Sequence, residues 1–199
     1  MYDEIAQEFS KTRGYVWPCV KRFLNENRSK NSKVLEAGCG NGRNLIYAKD
    51  LGYSSVEGFD ICPNLVDICQ SRGLDVRLGN ILEPIENKYD IILSIAVIHH
   101  LDTDEKRRQA IQLLIDAMKP GASLILTFWS YEKGESKIQK DFVLGDNIVP
   151  WKTRDGMSVV SNRYYYVYNE ELLRKMLGHF SIQYEIYWEE QNWIVIIKN

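Results

Sequence analysis

The segment Val34-Leu-Glu-Ala-Gly-Cys-Gly-Asn-Gly-Arg43 carries an apolar run into three glycines at alternate positions, Gly38, Gly40 and Gly42. Glycine lets the backbone turn sharply and come close to a ligand, so this spacing predicts a tight strand-to-helix turn. A turn of that kind belongs to a parallel sheet with helical crossovers, and the neighbouring sequence repeats the pattern. Lys33–Ala37 reads as a strand, and a helical pattern follows from Asn44 to Lys49. Ser55–Phe59 is a second strand, followed by a helix after Pro63 with Leu65, Ile68 and Cys69 on one side. Leu74–Leu78 is a third strand, and Tyr89–Ile95 a fourth, nearly all apolar, as a central parallel strand covered on both faces should be. Glu105–Met118 places Ala110, Ile111, Leu114 and Ile115 at helical spacing, Lys119-Pro-Gly121 stops it, and Ser123–Trp129 is a fifth strand. Strand and helix alternate five times, which predicts a doubly wound α/β sheet with helices on both faces.

The flanks read differently. Tyr2–Phe9 and Tyr15–Asn27 are expected to be short amphipathic helices. Ser130 to Tyr168 is polar and aromatic-rich with no element assigned. Asn169–Leu177 reads as a capped helix, and Ser181–Trp188 and Trp193–Lys198 as strands around the turn Glu189-Glu-Gln-Asn192. The expected organisation is one unit over 1–199. It comprises a helical cap (1–32), a ligand-binding core (33–129), an aromatic insert (130–168), and a C-terminal helix with hairpin (169–199). A length of 199 residues suits one domain, and 45% hydrophobic residues fill a core. No apolar run approaches the ~18–20 residues of a membrane span, and the acidic start Met1-Tyr2-Asp3-Glu4 shows no signal-peptide pattern. Four cysteines without CxxC spacing are expected to stay reduced, in the cytoplasm or the nucleus. A net charge of −2 gives no global sign of nucleic-acid binding. Residues 11–33 nonetheless hold seven basic side chains against Glu26, either a solvated helix face or a phosphate-contacting surface.

The glycine spacing is GxGxG rather than the GxGxxG of nicotinamide sites, and Asp60 closes the next strand. An acidic residue there accepts hydrogen bonds from ribose hydroxyls. Alone, Asp60 reads equally well as a helix cap before Pro63. Glu36-Ala-Gly-Cys-Gly-Asn-Gly42 with Asp60 resembles the first two motifs of class I S-adenosylmethionine-dependent methyltransferases. Gly79-Asn80-Ile81 stands where that superfamily bonds the adenine amino group, Tyr89-Asp90-Ile-Ile-Leu-Ser94 resembles its fourth strand, and Met118-Lys-Pro-Gly121 the turn before its fifth. The resemblance implies a seven-stranded, mostly parallel Rossmann-like sheet with an antiparallel C-terminal hairpin strand. It also implies an S-adenosylmethionine site formed by Glu36, Gly38, Gly40, Gly42, Asp60, Ile61, Asn80, Ile81 and Ser94.

Segments outside that core are more specific. Phe9-Ser-Lys-Thr-Arg-Gly-Tyr-Val-Trp-Pro18, Leu93-Ser-Ile-Ala-Val-Ile-His-His100 with Arg107-Arg108, Val149-Pro-Trp151 and Arg163-Tyr-Tyr-Tyr-Val-Tyr168 together resemble the eukaryotic tRNA wobble-uridine carboxymethyl methyltransferases. That family esterifies the carboxylate of 5-carboxymethyluridine. The chain departs from it at Tyr166, where the family has His, at Pro120-Gly121-Ala122, and in a short insert. The resemblance implies a tRNA substrate and a small zinc-binding activator protein as partner, with no metal site in this chain. Arg13, His100 and Arg163 are the candidate catalytic residues, the arginines as carboxylate or phosphate clamps, and Trp151, Tyr164 and Tyr165 the candidate stacking residues. Each has a plainer reading: an exposed charge for Arg13, packing for the aromatics. The alternatives are methylation of a small carboxylic acid or other metabolite, and a catalytically silent cofactor-binding module. The third strand is expected at a sheet edge, with an apolar strip of Leu65, Ile68, Cys69, Leu74, Val76 and Leu78 onto which the activator adds a strand.

Overall fold

The structure, a computed structural model, describes residues 5–12, 14–27, 29, 31–132, 142–152 and 158–199. Arg13 therefore lies outside the described residues.

Two short helices open the chain, α1 (Ala6–Thr12) and α2 (Pro18–Glu26). Proline occupies the first turn of α2, where a missing N–H costs nothing, and Cys19, Val20, Phe23 and Leu24 form its buried stripe. Strands and helices then alternate: β1 (Lys33–Ala37), α3 (Arg43–Asp50), β2 (Ser55–Asp60), α4 (Pro63–Ser71), β3 (Asp75–Leu78), β4 (Tyr89–Ser94), α5 (Asp104–Asp116) and β5 (Met118–Trp129). A two-stranded ribbon, β6 (Gly145–Lys152) and β7 (Val159–Val167), precedes α6 (Glu170–Leu177), β8 (Gln183–Glu189) and β9 (Asn192–Lys198). Thr103 caps α5 by accepting from the Lys106 amide, and Asn169 caps α6 by accepting from the Leu172 amide at 2.9 Å.

The main sheet has seven strands in the order β3-β2-β1-β4-β5-β9-β8. β1 to β5 run parallel, and β9 pairs antiparallel with both β5 and β8. Each central strand is apolar on both faces because each face packs on helices. Leu35, Ile92, Leu124, Leu126 and Phe128 join α5 and α6 on one side. Val34, Ile91, Leu93 and Ile125 meet Phe23 of α2, Leu45 of α3 and Cys69 of α4 on the other. The expected class is the observed one. Among the described residues no helix is long and apolar enough to cross a membrane.

Three expectations are corrected. α5 ends at Asp116, and Lys119-Pro-Gly121 belongs to a bulged start of β5, where the partner of β4 jumps from Met118 to Ser123 and Gly121 takes φ 78°. The insert without assigned elements is the ribbon β6–β7, joined to the main sheet beside a single bridge, Ser130 to Tyr168. β3 is at the edge, but the expected apolar strip is not displayed: Leu65, Cys69, Leu74 and Val76 are buried, and of that strip Leu78 is the exposed member.

Candidate active site

A cavity of about 510 Å³ opens at the carboxyl ends of the parallel strands, where the strand order reverses between β1 and β4. Its floor is the glycine loop. Gly38, Gly40 and Gly42 all take positive φ, and the amides of Gly38 and Cys39 both donate to the Phe59 carbonyl at 2.9 and 3.0 Å. A Cβ on Gly38 would lie 2.5 Å from Val97 Cγ2, so this glycine is required by close approach as well as by its dihedral. Asp60 closes the loop from β2. Its Oδ2 accepts from the Gly40 amide at 2.8 Å and its Oδ1 from the Cys62 amide at 2.9 Å. The carboxylate thus ties the glycine loop to the turn after β2.

Glu36 sits at the end of β1 with 1% exposure. Its Oε1 accepts from Asn44 Nδ2 at 2.6 Å, and its Oε2 has no partner. Burial pushes the carboxyl up to about 8 against the Asn44 bond, with Cys69 and Asp60 adding to the rise. A buried, half-satisfied carboxyl in a cavity of this size suits a cationic ligand, and the ammonium of a methionyl group is one. Glu36, Gly38, Gly40, Asp60, Ile61, Asn80 and Ile81 all line the cavity.

Two other residues expected at the cofactor do not. Gly42 serves packing, since a Cβ there would lie 2.3 Å from Leu74 and 2.9 Å from the Cys69 sulfur. Ser94 is fully buried and lies outside the lining, its hydroxyl unpartnered. Asn80 lines the wall, yet its carbonyl accepts from the Leu82 amide at 3.0 Å, so it shapes the turn after β3. Sequence reading missed Arg43, Tyr15 and Ala96, which also line the cavity. Ala96 takes φ 58°, rare for a residue with a Cβ, and its amide donates to Thr127 Oγ1 at 2.8 Å. This left-handed residue, two positions past β4, turns the chain at the rim of the cavity.

The rim continues into the ribbon. His100 ends a short 3-10 turn, Ile98–His100, and lines the cavity. Its Nδ1 lies 2.9 Å from the Tyr164 carbonyl on β7. A carbonyl only accepts, so Nδ1 carries the proton. Burial pushes His100 down to about 4, Arg163 contributing and the Tyr164 bond opposing, so the ring is neutral at pH 7. His99 is fully buried with neither ring nitrogen hydrogen-bonded, and burial holds it well below the usual range. Among the described residues no group of three or more His, Cys, Asp or Glu side chains is placed to hold a metal ion.

The ribbon separates the aromatic candidates. Tyr165 is 2% exposed and stacks on Trp129 at 4.0 Å, with its ring 4.3 Å from His100. It is a packing residue and offers no open face to a base. Tyr164 and Trp151 are half-buried on the ribbon. Arg163 is 6% exposed, and its Nη1 donates to the Tyr165 hydroxyl at 2.8 Å. Its guanidinium lies 4.9 Å from the Trp151 ring centroid, and its Nε has no partner. Among the described residues no carboxylate pairs with it.

The fold and cavity define the class. The methyltransferase-domain family matches residues 9–180, and the chain belongs to that family. A Clostridium acetobutylicum S-adenosylmethionine-dependent methyltransferase superposes with a TM-score of 0.68 at 16% identity, covering 99% of this chain and 98% of that one. An S-adenosylmethionine-bound amino pentose methyltransferase from Micromonospora echinaspora superposes at 0.70 and 15% identity over 100% and 98%. More specific is the similarity to a tRNA (carboxymethyluridine(34)-5-O)-methyltransferase of Arabidopsis thaliana, 36% identical over 69% of this chain and 34% of that protein. The homologue of that name in Xenopus tropicalis is 39% identical over 71% of this chain and 23% of its own length. A putative methyltransferase of Encephalitozoon cuniculi is 32% identical over 88% of this chain and 81% of its own length. The chain thus spans about a quarter to a third of the named tRNA methyltransferases.

Proposed function

We propose that the chain transfers a methyl group from S-adenosylmethionine to the carboxylate of 5-carboxymethyluridine at the anticodon wobble position, giving the methyl ester. The observation that carries this reading is Arg163, a buried guanidinium that no carboxylate among the described residues pairs with, next in sequence to Tyr164, whose carbonyl holds the cavity-lining His100. A buried cation without a counter-charge is costly, and a planar fork of donors suits a bound carboxylate. The names of the tRNA methyltransferase relatives support the same acceptor.

S-adenosylmethionine supplies an electrophilic sulfonium methyl. The rest is positioning. A carboxylate with a pKa near 4 is already ionised at neutral pH and needs no general base. His100, neutral with its proton on Nδ1, therefore has no proton to take and does not compensate the negative charge. It differs in this from a catalytic acid or base, and the carboxylate falls to Arg163. Alignment of the acceptor and exclusion of water can supply ~7–11 kcal/mol of the barrier. Trp151, stacked over Arg163, and Tyr164 form the wall available to the nucleobase. Arg13, outside the described residues, would add a cation for the carboxylate or a phosphate.

The reading extends to a small zinc-binding activator protein as partner and to action in the cytoplasm or nucleus. The edge position of β3, with Leu78 exposed, supports a partner that adds a strand by main-chain bonds. The test is methyl transfer to bulk tRNA from cells lacking the modification, with and without the activator, followed by nucleoside analysis. Methyl ester of 5-carboxymethyluridine formed by the native chain and lost in Arg163→Gln, with cofactor affinity retained, is the expected result. Transfer to small carboxylic acids but not to tRNA would replace it with the metabolite reading, and cofactor binding without transfer to either with that of a silent module.

A further inference from the structure

Arg107 lies on the second turn of α5, on a helix whose other charges are mostly solvated, yet it is 3% exposed. Its Nη1 donates to the Leu101 carbonyl at 2.6 Å, the residue directly after His100, and to the Tyr164 hydroxyl at 3.3 Å. Its Nη2 bonds Asp104 Oδ1 at 2.5 Å, which neutralises it. The guanidinium plane lies 3.8 Å from the Tyr166 ring centroid. The same Tyr164 whose hydroxyl Arg107 holds presents the carbonyl that fixes His100 Nδ1. Tyr164 is braced again from β6 through its hydroxyl bond to Asp146.

These contacts close a circuit. It runs from His100 along the chain to the Leu101 carbonyl, across Arg107 to the Tyr164 side chain, and through the Tyr164 carbonyl back to His100. We infer that Arg107 is a positioning residue which sets the orientation and tautomer of His100 by holding both the chain that carries the imidazole and the strand that hydrogen-bonds it. The bond joins two segments far apart in sequence, a short 3-10 turn and a ribbon outside the main sheet, so its geometry depends on their separation. The Tyr165 ring packs on His100 at 4.3 Å, and Arg107 adds directional hydrogen bonds to both segments. A guanidinium is suited to this, since it offers several donors in a fixed plane and stacks on an aromatic ring; a lysine ammonium reproduces neither. The catalytic consequence rests on the proposed acceptor site, but the tautomer does not.

The experiment uses the full chain with bound S-adenosylmethionine, labelled with nitrogen-15 at histidine. Ring-nitrogen shifts of His100 report the tautomer, and steady-state kinetics on modified tRNA separate kcat from the cofactor KM. Expected are a single Nδ1–H tautomer in the native protein, mixed tautomers in Arg107→Met, and, because the β7 strand that carries Arg163 shifts with Tyr164, a fall in kcat of up to about a hundredfold with an unchanged cofactor KM. Arg107→Lys should fail to restore the tautomer. Tyr164→Phe removes only the hydroxyl leg of the circuit and should give a smaller change in the same direction, and it decides the matter if Arg107→Met does not fold. An unperturbed His100 tautomer in Tyr164→Phe and in folded Arg107→Met overturns the inference. Mixed tautomers in a protein whose native form methylates no tRNA would keep the circuit and remove the proposed acceptor.

Discussion

Replacing Glu36 by Gln isolates the electrostatics of the cofactor cavity. The side chain is 1% exposed and its carboxyl is pushed from an ordinary 4.5 to about 8, chiefly by burial. The folded chain therefore binds this proton more tightly than the unfolded chain. Stability from this group is complete below pH 4.5 and disappears as pH climbs through about 8. At 1.36 kcal/mol per tenfold change, the full loss is on the order of 3–5 kcal/mol. Gln keeps the shape and the Asn44 contact region but cannot ionise, so its stability should lack this slope. Denaturant unfolding of both proteins without ligand, between about pH 5 and pH 9, should show the native chain falling relative to Glu36→Gln as pH rises. Binding should reverse the preference, because an ammonium beside Glu36 favours the carboxylate. Titration calorimetry near neutral pH in buffers of different ionisation enthalpy should then detect a proton released by the native chain and less by the variant. Parallel pH dependence of the two proteins, with identical proton release, would refute the assignment of Glu36 as a buried, proton-bearing cation receptor.

Other perturbations follow from the same geometry. Gly38→Ala forces a left-handed alanine against Val97, costing ~1–2 kcal/mol for the dihedral and a further ~1–3 kcal/mol for overpacking. Thermal unfolding should show that Val97→Ala recovers only the second part. Asp60→Ala should weaken S-adenosylmethionine binding by ~1.5–3 kcal/mol in calorimetry, and unchanged affinity would remove Asp60 from the site. Thr127→Val leaves the Ala96 amide without its acceptor and should cost ~1–3 kcal/mol, read as a lower melting temperature. Adding Ala96→Gly to that variant should recover at most the ~1–2 kcal/mol of left-handed strain and not the lost hydrogen bond.

The sheet was legible because its signals are redundant. Each parallel strand is a run of apolar residues, each helix has one stripe, and the glycine loop can serve only as a strand-to-helix turn. The ribbon was not legible because its alternation carries no polarity. Arg163, Tyr165 and Val167 face inward and Tyr164 and Tyr166 lie half-buried on the other face, so nearly every position is aromatic. The same lack of contrast made Tyr165 look like a stacking platform, when its ring is spent on Trp129 and His100. Ser94 shows that a polar residue at a strand end need not face the ligand. Arg107 entered only as part of a family-resembling segment with no role assigned; the fold brings the post-β4 turn and β7 against it.

The ribbon β6–β7 belongs to no layer of the main sheet and meets it beside one isolated bridge. On the proposed function the two substrates therefore have separate inheritances. The parallel strands and glycine loop, which hold the methyl donor, are bound to the packing of the whole domain and tolerate little change. The ribbon hangs from the end of β5 as an excursion between two main-sheet elements, so insertions and replacements there leave the sheet's hydrogen bonding intact. With the ribbon as the proposed acceptor wall, a new acceptor is acquired by altering this excursion while donor affinity stays constant, much as a tool changes its bit and keeps its handle.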